Sequence, residues 1–151
     1  MALTGSPSAS RPQNVRDARW GEAVSDEEIA AAEQQLGLRL PPDWRDFLQG
    51  GPWLREGWLA SGQFLQCYGP TEASELIAAW DPGAARHPGI YLLGGDGSRD
   101  LYCVDLRDAK PAVQLTDITS SGWHDAEPLL PSVSQFVDAI RDGSLRAYPQ
   151  Q

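Results

Sequence analysis

From Ser25 to Gly51 the chain reads SDEEIAAAEQQLGLRLPPDWRDFLQGG, a run that confines it to two short helices joined by an elbow. Ser25 can accept a hydrogen bond from the amide three residues on while Glu28 reaches back, the reciprocal arrangement of a capping box. Ile29, Ala32, Glu33 and Leu36 recur at helical spacing, so one face is apolar with a single acidic interruption. Gly37 closes this helix, because a left-handed terminal residue costs glycine little. Leu38 and Leu40 then turn inward, and Pro41-Pro42 opens a second helix where a missing N–H does no harm. Trp44, Phe47 and Leu48 form its buried stripe, and Gly50-Gly51 stops it. The run holds no set of nucleophile, base and orienting partner. It describes a scaffold.

The remaining chain alternates short signals of both kinds. Residues 1–19 are rich in Ser, Pro, Ala and Arg with little to bury, and are predicted to be a disordered tail before a domain spanning 20–148. Trp20 and Val24 mark the entry to that domain. Trp53, Leu54, Trp58 and Leu59 around Gly57 read as a loop leading into a strand, and Gln63–Tyr68 as a strand. Pro70-Thr71-Glu72 starts a third helix with Leu76, Ile77 and Trp80 as apolar contacts and Asp81-Pro82-Gly83 as its stop. Ile90–Leu93 and Leu101–Leu106 are predicted strands about the Gly94–Asp100 turn, and Ala112–Leu115 is another. Val133, Phe136, Val137 and Ile140 define a last helix capped by Gly143. The predicted fold is α+β: one domain with a central antiparallel-rich, mixed sheet of four to six short strands. Around that sheet lie the helical pair, one mid-chain helix and a C-terminal helix.

Charge separates the partners this domain can and cannot take. Of 151 residues 21 are acidic and 12 basic, a net −9. The first twenty carry Arg11, Arg16 and Arg19 against Asp17, so the rest of the chain carries −11. Such a domain repels nucleic acid and anionic membrane and attracts basic proteins over a Debye length, although negative charge also serves plain solubility. No apolar run approaches the ~18 residues of a membrane span, and no signal peptide is visible, so a cytoplasmic location is expected. Cys67 and Cys103 stand thirty-six positions apart, readable as buried thiols or as a disulfide.

Chemistry-bearing motifs are incomplete. Asp96-Gly97-Ser98-Arg99-Asp100 starts like a calcium loop, but Leu101 occupies its sixth position and Arg107 its twelfth, so a polar hairpin turn explains it better. His87, in Arg-His-Pro-Gly, and His124 both read as surface-loop residues, and neither has a metal-pair spacing. Cys103 lies in an apolar strand where burial blunts a thiol. We therefore expect no catalytic residue, metal or cofactor. What remains is surface. Trp53, Trp58 and Trp123 are read either as interface anchors or as core. Asp26, Glu27 and Glu28 at the first helix start, Asp96, Asp100 and Asp108 along the hairpin, and Asp125 beside Trp123 are acidic candidates for a basic partner. The helix-start acids also complement the helix dipole, by ~0.3–1 kcal/mol each.

The pattern E-x-x-LG-x-x-LP-x-x-(aromatic)-x-x-FL, carried here by Glu33, Leu36, Gly37, Leu40, Pro41, Trp44, Phe47 and Leu48 and closed by Gly51, resembles the SUKH superfamily, in its branch of the fungal cell-wall-assembly regulator. The stretch IYLLGGDGSRDLYCVDL, with Gly95 in its turn and Asp105 near its end, is similar to that family's strand, glycine-rich turn and strand. Ser25 and Glu28 supply the acidic helix start. Gly50 departs from the pattern, since many members carry Asn there. The resemblance spans roughly residues 20 to 142. It implies a bacterial immunity protein that neutralises a basic, intracellularly acting polymorphic toxin, a nuclease or nucleic-acid deaminase, by stoichiometric occlusion. The free protein is expected to be a monomer. A second reading is a regulatory scaffold, for which the short flanks offer little room for partner motifs.

Overall fold

In the computed structural model, which describes residues 15–80 and 83–147, the Ser25 Oγ accepts from the Glu28 amide at 3.1 Å and starts helix α1 (Asp26–Leu36). Gly37, at φ 72°, ends it with its amide on the Glu33 carbonyl. Helix α2 (Pro42–Gln49) buries Trp44, Phe47 and Leu48 as its spacing requires. The Glu33 carboxylate that interrupts the apolar face acts locally, its Oε2 accepting from the Leu40 amide at 2.8 Å and pinning the elbow. Glu28 does not reach back to close the capping box. Its Oε2 instead accepts from the Thr71 hydroxyl at 2.9 Å, tying α1 to helix α3 (Pro70–Ala79).

Among the described residues the sheet is a seven-stranded meander in strict chain order: β1 (Arg16–Gly21), β2 (Trp53–Trp58), β3 (Phe64–Cys67), β4 (Ile90–Gly95), β5 (Asp100–Asp105), β6 (Val113–Asp117) and β7 (Glu127–Leu130). All six pairings are antiparallel, which corrects the expected four to six strands and the expected mixed character. The strands missed are those whose residues look wrong in isolation. β1 (RDARWG) is mostly exposed, and β7 (EPLL) contains a proline, tolerated on an edge strand but a warning in a central one. At β2 (WLREGW), expected as a loop leading into a strand, the strand already begins at Trp53 and takes in the charged centre, with β1 and β3 pairing on either side. Arg16–Arg19 thus belong to a strand within the segment read as a tail. The rest of that tail up to residue 14, Asp81 and Pro82 of the expected helix stop, and residue 148 lie outside the described residues.

Helix α4 (Val133–Asp142) buries Val133, Phe136, Val137 and Ile140 and ends at Gly143, at φ 76°. Phe136 joins the layers: its ring lies 5.9 Å from Trp44 of α2 and 5.3 Å from Tyr102 of β5, and Trp44 stacks on Phe47 at 4.8 Å. In α3 the buried residues are Pro70, Ala73 and Ser74, with Ile77 and Trp80 partly covered, while Leu76 faces solvent. The apolar stripe of α3 is thus rotated from the one its sequence suggested. Strand β3 meets β4 at Gln66–Gly95 and Cys67–Gly94, and a Cβ on Gly94 would run into the Gln66 carbonyl. Close backbone approach therefore demands glycine there.

Candidate partner-binding site

Register brings together acids that the sequence keeps apart. Asp100, the first residue of β5, stands directly opposite Asp117, the last residue of β6. The two acids are thus cross-strand neighbours at the ends of their strands. Glu127 begins β7 opposite Leu115, and the connection from β6 to β7 contains a short 3-10 turn, Trp123–Asp125. Together these segments form a concavity of about 230 Å³ lined by Asp100, Leu115, Thr116, Asp117, Thr119, Ser120, Asp125 and Glu127. Among the described residues, four that line it are carboxylates and none is Lys or Arg.

Two of these carboxylates are held ionised by their own loop. Asp117 accepts from the Thr119 amide at 2.7 Å and from its hydroxyl, and these bonds, with Arg99 nearby, keep its carboxyl below the usual range. Asp125 accepts from the Ser121 hydroxyl at 2.7 Å and amide at 2.9 Å, with the same consequence. Two solvated side chains lie beside them: the Arg99 guanidinium 3.8 Å from Asp117 and the His124 ring 3.6 Å from Asp125.

Behind the pocket lies a residue misjudged from sequence. His87, expected on a surface loop, is fully buried. Its Nδ1 donates to the Gly83 carbonyl at 2.7 Å, since a carbonyl can only accept, and its Nε2 lies 2.8 Å from the Ser120 Oγ. The Trp80 and Trp123 rings pack at 5.1 and 5.4 Å. Trp80 Nε1 donates to the Ile118 carbonyl and Trp123 Nε1 to that of Pro88. The acidic loop is thus pinned on a buried imidazole between two indoles. Beside the pocket the apolar side chain of Ile118 is 61% exposed.

The other expected contacts lie elsewhere. Asp96 is occupied within its hairpin, accepting from the Ser98 and Asp100 amides at 2.9 and 3.2 Å, with Gly97 at φ 82° completing the turn. Asp108 accepts from the Lys110 amide in the turn after β5, near Arg39 and Arg45. Glu27 is exposed, and Glu28 borders a second acidic groove with Glu22, Glu72 and Glu75, relieved by Arg55. Trp53 takes the core alternative, 2% exposed with its Nε1 donating to the Glu22 carbonyl. Trp58 remains partly exposed against Phe64 and beneath the Arg16 guanidinium. Asp105 ion-pairs with Arg107 at 2.8 Å. Cys67 and Cys103 are buried free thiols, and burial pushes Cys103 up to about 12 and Cys67 further.

Of the ten residues expected to meet a partner, the fold therefore gathers Asp100 and Asp125 in one pocket with Trp123 behind it. Asp117, Glu127, Ser120 and Ile118 escaped sequence reasoning. Only the cross-strand register makes Asp117 a neighbour of Asp100, and no local spacing encodes that. A family model described as SMI1 / KNR4 family (SUKH-1) matches residues 23–139, a span that includes every residue lining the pocket. No curated protein matches the chain.

Proposed function

Because the chain belongs to the SMI1 / KNR4 family (SUKH-1), which includes immunity proteins of polymorphic toxins and fungal regulators, we propose that it is an immunity protein acting by stoichiometric occlusion of a basic toxin. The observation that carries this reading is the convergence of Asp100, Asp117, Asp125 and Glu127 on one concavity beside the exposed Ile118. Interfaces of this kind combine a desolvated anchor with charges that steer encounter, and steering raises association from ~10⁵–10⁶ to as much as ~10⁸–10⁹ M⁻¹s⁻¹ at low salt. A toxin acting on nucleic acid needs a cationic surface, and a domain of this charge can cover it.

Co-expression with the toxin encoded beside this protein tests the proposal. Protected cells and a co-purifying one-to-one complex are expected, with an association rate that falls at least tenfold between 50 and 500 mM salt as screening shortens the Debye length. Cells that die, with no complex recovered, would count against an immunity role and in favour of the regulatory scaffold.

A further inference from the structure

We infer that His87 and Ser120 form a clamp that takes up a proton without letting go: the imidazole gains a hydrogen at Nε2 in place, because the Ser120 hydroxyl reverses from donor to acceptor. The Nδ1 atom faces the Gly83 carbonyl at 2.7 Å, and a carbonyl only accepts, so Nδ1 carries a hydrogen in either state. In the neutral ring Nε2 is then a bare lone pair, and the Ser120 O–H donates to it across 2.8 Å. The same Oγ lies 3.1 Å from the Gly122 carbonyl. One hydroxyl hydrogen cannot fully serve both acceptors. When Nε2 is protonated, it donates to Oγ and the hydroxyl turns to the Gly122 carbonyl, with no heavy atom displaced. That carbonyl already accepts from the Asp125 amide at 2.9 Å, and its two lone pairs leave it satisfied whichever way the hydroxyl points.

The surroundings suit both charge states. A histidine buried as a neutral ring ordinarily opposes the fold on acidification, because its charged form lacks water and partners. Here the ring lies 5.1 Å from the Trp80 indole and 5.4 Å from that of Trp123, and an indole attracts a nearby cation. Asp125, bonded to the Ser121 hydroxyl and amide, acts electrostatically on the ring. Asp117, at the end of β6, is occupied by Thr119. Helix α3 meets the ring through the uncharged Trp80 that follows its last turn. Arg86, on the 3-10 turn Ala84–Arg86, and His124, beside Trp123, are exposed. What the clamp holds is the connection from β6 to β7: the Ser120 amide donates to the Asp117 carbonyl at 3.0 Å, and Trp123 reaches the Pro88 carbonyl. The segment bearing Asp117 and Asp125 therefore keeps its anchorage when the imidazole changes charge.

The test is nuclear magnetic resonance of the full chain with nitrogen-labelled histidine, followed from about pH 8 to about pH 5. Ring-nitrogen correlations read which nitrogens of His87 carry hydrogen, with the exposed His124 as internal reference. At the upper end His87 should hold its hydrogen on Nδ1. As the pH falls it should gain the second proton with its Overhauser contacts to Trp80 and Trp123 intact. The Asp125 amide should then exchange no faster, once the intrinsic pH dependence of exchange is removed. Ser120→Ala leaves a protonated Nε2 without its acceptor, so in that variant acidification should speed Asp125 exchange about tenfold, as suits one lost hydrogen bond. Should that variant not fold, the titration of the parent chain decides alone. A hydrogen on Nε2 in place of Nδ1 at the upper end would overturn the inference. So would loss of the indole contacts on protonation, or a ring that stays neutral until the chain unfolds. An alanine variant that holds the loop as firmly as the parent at low pH would do the same.

Discussion

Cys103 shows what a side chain becomes when the sheet closes over it. Its sulfur is buried beside the Gln114 carbonyl at 3.6 Å, and loss of solvation, with Asp105 nearby, pushes the thiol up to about 12. Cys67 is shifted in the same direction by burial and by Glu72. The thiolate is the reactive form, so at pH 8 almost none exists at either position. Native protein should therefore react with a disulfide reagent at least a hundredfold more slowly than protein unfolded in guanidinium, where both thiols react. Fast labelling of one thiol in the native state would contradict the burial. At the same scale, His87 shows why a polar residue defeats local reading. Nothing in Arg-His-Pro-Gly announces that Trp80 and Trp123 will enclose the ring or that Gly83 and Ser120 will satisfy it.

Among the elements, legibility follows the range of the forces that specify them. Helices α1, α2 and α4 are written locally, through a capping hydroxyl or a proline at the start, a stripe at helical spacing and a terminal glycine. Strands β1, β2 and β7 lack that autonomy, because their backbone groups find partners only across the sheet. The α1–α2 elbow offers a measurable comparison. Ser25→Ala removes a cap on an exposed turn and should cost roughly 0.5–2 kcal/mol. Glu33→Ala removes a carboxylate bonded to the part-buried Leu40 amide and should cost more, about 1.5–3 kcal/mol. Urea denaturation of both variants checks the order. A Glu33 variant as stable as the parent would show that the elbow is held by apolar packing alone.

For the molecule as a whole, carboxylates inside and outside the candidate site set its response to pH. Asp105, Asp117 and Asp125 all have carboxyls held below the usual range, first by hydrogen bonds from Arg107, Thr119 and Ser121 respectively. A carboxyl lowered in the folded state stabilises the fold fully above its unfolded value, near 3.9, and loses that contribution as pH falls through the folded value. The urea midpoint should therefore be insensitive to these groups from pH 7 to about 5 and drop below about pH 4. Asp105→Asn should flatten part of the drop. Solvent around these groups keeps each contribution small. A midpoint that rises on acidification would mean that relief of the overall negative charge outweighs the three bonds.

Sequence alone determined the class of the fold, the helical pair and its elbow, the terminal helix, the central strands and a net charge suited to a basic partner. All of these rest on spacing within a few residues or on composition. Tertiary structure alone decided that the sheet has seven strands in chain order, that His87 is interior and that Trp53 is core. It also decided that Asp100, Asp117, Asp125 and Glu127 share one concavity. The reason is the length scale of the interaction: a cap or an apolar stripe is complete within one or two turns of chain. A pocket exists only once strand register has made neighbours of residues that the chain itself holds far apart.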